Sequence, residues 1–467
     1  MLSAISLDKN QCLQQQMVDQ LQDLISTGRL KPGTRMPSTR MLAEQLGVSR
    51  NTVVLTYDRL IAEGKLETRP AQGTFVVEPV SHRPHLRVVE GGEAHEINMP
   101  PPQIWRPDPS LFPLVRWRAL LRTALDTLGS GVARQHPSGE PALRHAIAVW
   151  LSASRNIGVT PEQIVLAESR HHAVHIAAHI GLRQQAHIVL EDPCDELTPA
   201  AFSHEAASVT RVPVDADGMR TDLLPSGSFD LVYVTPTHQD PLGAMLSPTR
   251  RHALLEWSKR SGALILEDES CSELQYGHRR LPTLFESDSD GHVILMGSFA
   301  ATLGPLLNLS FLVVPRHLCT TAANTCQTIG GVPSRIEQFA LAELLQGGSY
   351  ARHLHRVSRV YATRRDTLVT ALHRHFGERQ TVWGHQAGLH LAWFPPADFA
   401  PSGLVVQAAR RCGLDAMTLP SSITHKSPGS HAVLLGFGAL SETQIDQRVK
   451  RLAAALPRDL DMVASVG

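Results

Sequence analysis

The sequence predicts two folds in series: a small helical unit closed by a β-hairpin, then a larger α/β unit with a mainly parallel central sheet and a small C-terminal α/β subdomain. Three observations predict this. Residues 13–77 read as helices followed by a hairpin. Beyond about Pro107, short β-branched runs alternate with amphipathic helical stretches, the pattern of a sheet covered by helices. Between the two, SHRPHLRVVEGGEAHEINMPPPQ breaks all periodicity with Pro, Gly and mixed charge, as a linker does. The expected boundaries are 11–79, a linker over 80–106, a large domain over 107–376 and a small subdomain over 377–460. A chain of 467 residues can bury a sizeable core in each.

Composition narrows the function classes. Lys plus Arg and Asp plus Glu both total 44, so only the distribution of charge can point to a polyanionic partner. The six cysteines are scattered without a C-x-x-C pair, which argues against a disulfide framework and a thiolate zinc site. No run approaches the ~18 apolar residues of a membrane span. The start, MLSAISLDKNQCLQQQ, lacks the basic and apolar regions of a signal peptide. A cytoplasmic protein with no membrane partner is expected.

In the first unit, Met41, Leu42 and Leu46 form an apolar stripe on a short helix. Gly47 suits its C-terminus, and Ser49 caps the next helix, expected from about Arg50 to Glu63. That second helix turns Val53, Val54, Tyr57, Leu60 and Ile61 inward and leaves Arg50, Asn51 and Thr52 at its start. The pattern is a helix-turn-helix, and the side chains at that start are the ones that reach base edges of duplex DNA. KLETRPAQGTFVVE alternates like a hairpin, with Ala71-Gln72-Gly73 at its tip, and forms a wing. Between Arg29 and Arg50, Arg29, Lys31, Arg35, Arg40 and Arg50 are opposed only by Glu44, a local patch suited to phosphate. The stretch from LISTGRLKPGTRMPSTR to AQGTFV resembles the GntR family of winged-helix repressors. The resemblance implies DNA contacts at Arg40, Ser49, Arg50, Asn51, Thr52 and Gly73.

In the larger unit, QIVLAES, HIVLEDP, FDLVYVTP, GALILEDES and HVILMGS read as strands, and GLHLAWF and HAVLLGF as strands of the small subdomain, which ends in the helix SETQIDQRVKRLAAAL. HPSGEPALRHAIAVWL, VYVTPTHQDPLGAML, ILEDESCSEL and GSFAATLGPLLNLSFLVVP make the chain similar to the MocR subfamily, in which a GntR-like domain is fused to a fold-type I aminotransferase-like domain. The resemblance implies a homodimer on a double-stranded DNA operator and pyridoxal phosphate as the family cofactor; if both units read one face of the DNA, the half-site centres, in direct repeat or palindrome, lie a whole number of ~34–36 Å turns apart.

Aminotransferase chemistry requires a lysine that forms a Schiff base with the cofactor aldehyde. Family members read roughly G-T-F-S-K-x-L-x-P-x-L-R, whereas this chain reads GSFAATLGPLLN, which puts Ala301 at the lysine and Asn308 at an arginine. Where the family wraps phosphate with a Thr-Ser-Gly-type turn, the chain has Ala167-Glu168-Ser169-Arg170, and a carboxylate there repels phosphate. The ring-stacking aromatic is replaced by Asp195 and the E-D-D-Y tyrosine by Ser270. Asp268 remains at the position of the acid that pairs with the pyridine nitrogen, with Ser169, Thr237, His238 and Ser298 around a remnant cofactor or effector pocket that also includes Ala301 and Asn308. These departures imply no catalytic residues and no covalently bound cofactor, and put pyridoxal phosphate binding itself in question.

His171, His175 and His179 recur at helical spacing beside His172, but a metal site needs a further ligand from elsewhere, and none is assigned. The expected function is a DNA-binding transcription regulator with an inactive aminotransferase-like domain for dimerisation and for a small-molecule effector. Two alternatives stay open: a working pyridoxal-phosphate enzyme using another lysine (Lys259, Lys426 and Lys450 are the only ones beyond Lys65), and a noncovalent vitamer sensor.

Overall fold

The computed structural model describes residues 5, 7–8, 13–70, 72–77, 104–129, 136–195, 197–202, 206–276, 280–396, 400–419 and 431–456. Two compact units appear, Met1–Asn98 and Met99–Gly467. Most of the expected linker, Ala71 at the expected wing tip and Lys426 lie outside the described residues.

The first unit is built from α1 (Leu13–Ser26), α2 (Thr39–Leu46), α3 (Arg50–Ala62) and a hairpin of β1 (Leu66–Arg69) and β2 (Gly73–Val76). Met17, Val18, Leu21 and Leu24 fall on one face of α1 and meet Leu42, Val53, Tyr57, Leu60, Leu66 and Val76 in a single core. Both helices of the helix-turn-helix start on a serine cap. Ser38 accepts from the Met41 amide at 3.2 Å and Ser49 from the Thr52 amide at 3.1 Å. Gly47 ends α2 at φ +66°, a left-handed conformation glycine enters without a Cβ penalty, and its amide bonds Ala43 O. The hairpin pairs antiparallel, Leu66 with Val76 and Arg69 with Gly73. Residues 34–36 add to it through Met36 N to Thr74 O and Val76 N to Thr34 O.

The cores of α2 and α3 differ in part from the expected stripes. Met41 is 48% exposed, and Leu42 and Ala43 are the buried pair. A helix this short buries a narrow face, and Met41 sits about 100° around from Leu42. On α3, Val54 and Ile61 are half-buried while Thr56 is inside, where its hydroxyl donates to Thr52 O at 2.8 Å. A hydroxyl satisfied by its own helix can be buried without an outside partner.

The second unit carries an eight-stranded sheet of β3 (Ile164–Ala167), β4 (Ala186–Asp192), β5 (Ala206–Asp215), β6 (Gly218–Met219), β7 (Leu231–Val234), β8 (Leu264–Asp268), β9 (Val293–Ser298) and β10 (Ser310–Val313). Their order is β3-β10-β9-β8-β7-β4-β5-β6. The run β9-β8-β7-β4-β5 is parallel, while β10 is antiparallel to both β9 and β3. After α4 (Leu114–Leu128) and α5 (Pro141–Arg155), the helix α6 (Arg170–Gly181) carries the chain from β3 to β4. Its small residues Ala173, Ala177 and Ala178 let it pack with Val165, Leu190, Leu231, Leu266 and Leu312 of the sheet. The helix Ser349–Phe376 leads to a four-stranded antiparallel sheet of β11 (Thr381–Trp383), β12 (His390–Phe394), β13 (Asp415–Thr418) and β14 (Val433–Gly436), ordered β11-β12-β14-β13. Tyr233, Asp268 and Ser298 lie at or next to the carboxyl ends of β7, β8 and β9, and Arg170 follows β3. In an open parallel sheet that edge is where ligands bind.

Candidate functional site

In the first unit, Ser49, Arg50 and Asn51 are exposed at the start of α3 and Thr52 is half-buried. The Ser49 and Thr52 hydroxyls lie 2.8 Å apart, which ties both to the cap. Arg50 Nε donates to Thr39 Oγ1 at 3.4 Å, so the starts of α2 and α3 are brought together. Arg40, next to Thr39, is 82% exposed and, among the described residues, pairs with Glu44 one turn on, at 3.4 Å. An exposed pair of this kind holds its cation weakly, on the order of 0.3–0.5 kcal/mol, so Arg40 is available to a stronger anion. Gly73 opens β2 at φ +111°, and a Cβ there would come within 3.2 Å of Arg35 Nε. The fold thus gathers Arg40, Ser49, Arg50, Asn51 and Thr52 at one pair of helix starts, with Gly73 in the wing beside Arg35.

The expected pocket region of the second unit holds something the sequence did not announce. Arg170, first residue of α6, lays its guanidinium on Asp268: Nε to Oδ2 is 2.6 Å. Its Nη2 reaches Asp195 Oδ2 at 3.1 Å and Asp240 Oδ2 at 3.8 Å, and donates to the Tyr233 hydroxyl. Tyr233 in turn donates to Asp268 Oδ2 at 2.6 Å, and the Ser270 amide to Asp268 Oδ1 at 2.9 Å. Asp195 also accepts from the Thr198 amide at 2.9 Å. Asp268 is 2% exposed and Arg170 19%, so this is a charge cluster largely withdrawn from water.

The protonation equilibria follow that geometry. Burial works against the Arg170 charge, but Tyr233, Asp268, Asp195 and Asp240 outweigh it and hold the guanidinium firmly protonated. Burial would raise Asp195, yet Arg170 and the Thr198 hydrogen bonds pull it below the usual carboxylate range. Asp240 is pushed up to about 7 by burial, with Asp195 and Asp268 adding to the rise and Arg170 opposing it. One guanidinium thus serves three acids, with Asp240 held at the longest distance, 3.8 Å.

Other expected pocket residues bond elsewhere. Thr237 donates to Glu269 Oε1 at 2.6 Å, and His238 faces His390 at 3.5 Å between nitrogens. Burial holds both imidazoles neutral, His390 down at about 4. Ser298 accepts from the Ser310 hydroxyl at 3.0 Å and the Ala300 amide at 3.2 Å. Ala301 is half-buried against the small-subdomain core, and Asn308 is exposed. At the expected phosphate turn, Ser169 caps α6 by accepting from the His172 amide at 3.2 Å, while the Glu168 amide donates to His172 Nδ1 at 3.3 Å. His171, His175 and His179 lie exposed along α6, and among the described residues no His, Cys, Asp and Glu group has metal-holding geometry. The described lysines of this unit are Lys259, 57% exposed and 3.1 Å from Asp290, and Lys450, exposed on the last helix. Sequence reasoning missed Tyr233, Asp240 and the role of Arg170. The available signal was charge balance: acids replacing an aromatic and joining Asp268 at strand ends require a buried cation.

Among the described residues, no helix is long and apolar enough to cross a membrane. Residues 13–76 match the family of bacterial regulatory proteins, gntR family, and residues 117–400 match aminotransferase class I and II. The chain is 31% identical over 463 residues to a probable rhizopine catabolism regulatory protein, MocR, of Rhizobium meliloti, covering 95% of this chain and 93% of that one. It is 30% identical over 440 residues to the HTH-type pyridoxine biosynthesis transcriptional regulator PdxR of Corynebacterium glutamicum, covering 91% and 92%. The crystal structure of an archaeal alanine:glyoxylate aminotransferase superposes on 75% of this chain and 89% of its own, with a TM-score of 0.67 and 25% identity. The matches to the two regulators span more than nine-tenths of this chain and of each regulator, and the chain belongs to the MocR-type GntR family of DNA-binding transcription regulators.

Proposed function

We propose that this regulator reads its operator with Arg40, Ser49, Arg50, Asn51, Thr52 and the wing at Gly73, and that its aminotransferase-like domain performs no transamination and serves dimerisation and effector sensing in the cytoplasm. The observation that carries the loss of chemistry is the Arg170–Asp268 ion pair. Pyridoxal phosphate, the group this fold implies, meets poor complementarity here. The acid aligned by the resemblance with its pyridine nitrogen is engaged by an arginine, and Asp195, which replaces the expected ring-stacking aromatic, is a carboxylate bonded to the same arginine. The Ser169 hydroxyl and Glu168 amide, at the expected phosphate turn, are bonded to His172. Ala301 offers no amine, and Lys259 and Lys450 lie on surface helices. No reaction step is therefore derived through that cofactor.

The DNA half of the proposal rests on exposed cations at the helix starts, where phosphate and base edges can reach them. Genome-wide capture of bound DNA with the full-length protein tests it. Discrete operator sites that vanish with Arg50→Ala are expected, and capture that is indifferent to Arg50 overturns the assignment. An absorption spectrum with added pyridoxal phosphate tests the other half: the spectrum of the free cofactor is expected, and a new visible band abolished by borohydride contradicts it.

A further inference from the structure

We propose that Arg170 is a built-in occupant of the former cofactor pocket, a tethered guanidinium that supplies the positive charge a bound ligand would otherwise bring to Asp268, Asp195 and Asp240. The inference rests on the reading of this cleft as the remnant cofactor site.

The geometry is that of a held ligand. Two nitrogens of the planar fork are in use: Nε meets Asp268 at 2.6 Å, and Nη2 is shared among Asp195 at 3.1 Å, Asp240 at 3.8 Å and the Tyr233 hydroxyl. The Tyr233 ring lies against the same group, with Cζ 5.9 Å from its centroid. These partners come from four separate places in the fold: the end of β7, the end of β8, the segment after β4 and the turn at Asp240. A surface arginine does not collect partners from four elements. A small cation seated at the carboxyl edge of the sheet does.

The arginine also comes from the right direction. It is the first residue of α6, whose cap sets the chain entering the pocket from β3, so its side chain crosses towards β8. The amide dipoles at that helix start favour the carboxylates facing it. Without the guanidinium, three acids would share a largely dry site, an arrangement with a high electrostatic cost. The pocket is therefore assembled by the polypeptide alone, and it takes an alkylguanidinium-class cation from solution only when Arg170 is removed.

The test uses the full-length protein and methylguanidinium chloride as the probe, with sodium chloride at equal ionic strength as the control. Arg170→Ala is expected to lower the main unfolding temperature by ~5 °C or more. Methylguanidinium is expected to restore at least half of that loss saturably while leaving the wild-type protein unmoved. A loss without rescue, an equal shift of wild type, or no loss at all overturns the proposal. Should R170A fail to fold, R170A/D268N decides. Recovery of soluble, cooperatively unfolding protein on removing both partners supports the internal-occupant role, and a double variant as damaged as the single overturns it. Failure here is distinguishable from failure of the proposed function, because cofactor trapped on wild-type protein would contradict that reading whatever methylguanidinium does.

Discussion

The two units use arginine in opposite ways. Arg40 and Arg50 stand at helix starts in contact with solvent, each with one weak polar contact at 3.4 Å. Arg170 and Arg155 are turned inward, and Arg155, 7% exposed, pairs with Glu273 and Glu269 and donates to Ser272. A cation left in water is available to a polyanion from outside, whereas a cation enclosed by carboxylates is consumed in holding the fold. The same residue type is therefore offered to solvent in one region and enclosed in the other. Substitutions that separate affinity from stability should expose the contrast.

The largest effect is expected from Arg155→Ala, which leaves two buried carboxylates without their cation. Chemical denaturation should show a loss of about 3–5 kcal/mol. A loss below 1 kcal/mol would mean that the inner arginines behave like the outer ones. Next comes pH. Glu191 is raised from 4.5 to about 7 by burial, Glu267 from 4.5 to about 8 by burial and Glu269, and Asp240 from 3.8 to about 7 by burial beside Asp195 and Asp268, against Arg170 and Trp105. Between about pH 4 and 8 the folded chain keeps protons the unfolded chain has released, so these groups' contribution to stability is present at low pH and falls away as pH rises through 7–8. Thermal unfolding at stepped pH should show that decline, and Asp240→Asn should flatten it.

The smaller effects belong to the DNA-reading unit. Arg50→Ala should weaken operator binding by about 1–3 kcal/mol, read by fluorescence anisotropy, with the unfolding temperature unchanged. A matching drop in stability would show that Arg50 is structural. Ser49→Ala should cost about 1 kcal/mol of stability through the lost cap, seen in denaturant unfolding of the isolated transition of that unit.

What could be read from the sequence was what is local. Ser49, Gly47 and the spacing of Val53, Tyr57 and Leu60 fix the helix-turn-helix within fifteen residues, and the structure has all of them in place. The alternation of β-branched runs with helices likewise announced a mainly parallel sheet. Met41 and Thr56 escaped because apolar spacing ranks faces but does not say how wide a face an eight-residue helix buries or which hydroxyl its own carbonyl satisfies. Arg170 escaped for a different reason. Its hydrogen-bond partners Asp195, Tyr233 and Asp268 lie 25, 63 and 98 residues away, and contacts between such distant parts of the chain have no periodicity to betray them. The absence of a lysine at Ala301 was visible in the chain, while the pairing of Arg170 with Asp268 became visible only once the start of α6 and the end of β8 were brought to the same edge of the sheet.

The central claim, a DNA-binding regulator whose aminotransferase-like domain has surrendered covalent chemistry, is tested most directly by the intact mass of operator-bound protein after incubation with pyridoxal phosphate and borohydride. The account predicts the unmodified mass at cofactor concentrations that fully label a lysine-bearing aminotransferase. Stoichiometric addition of one reduced cofactor at a single lysine would contradict it.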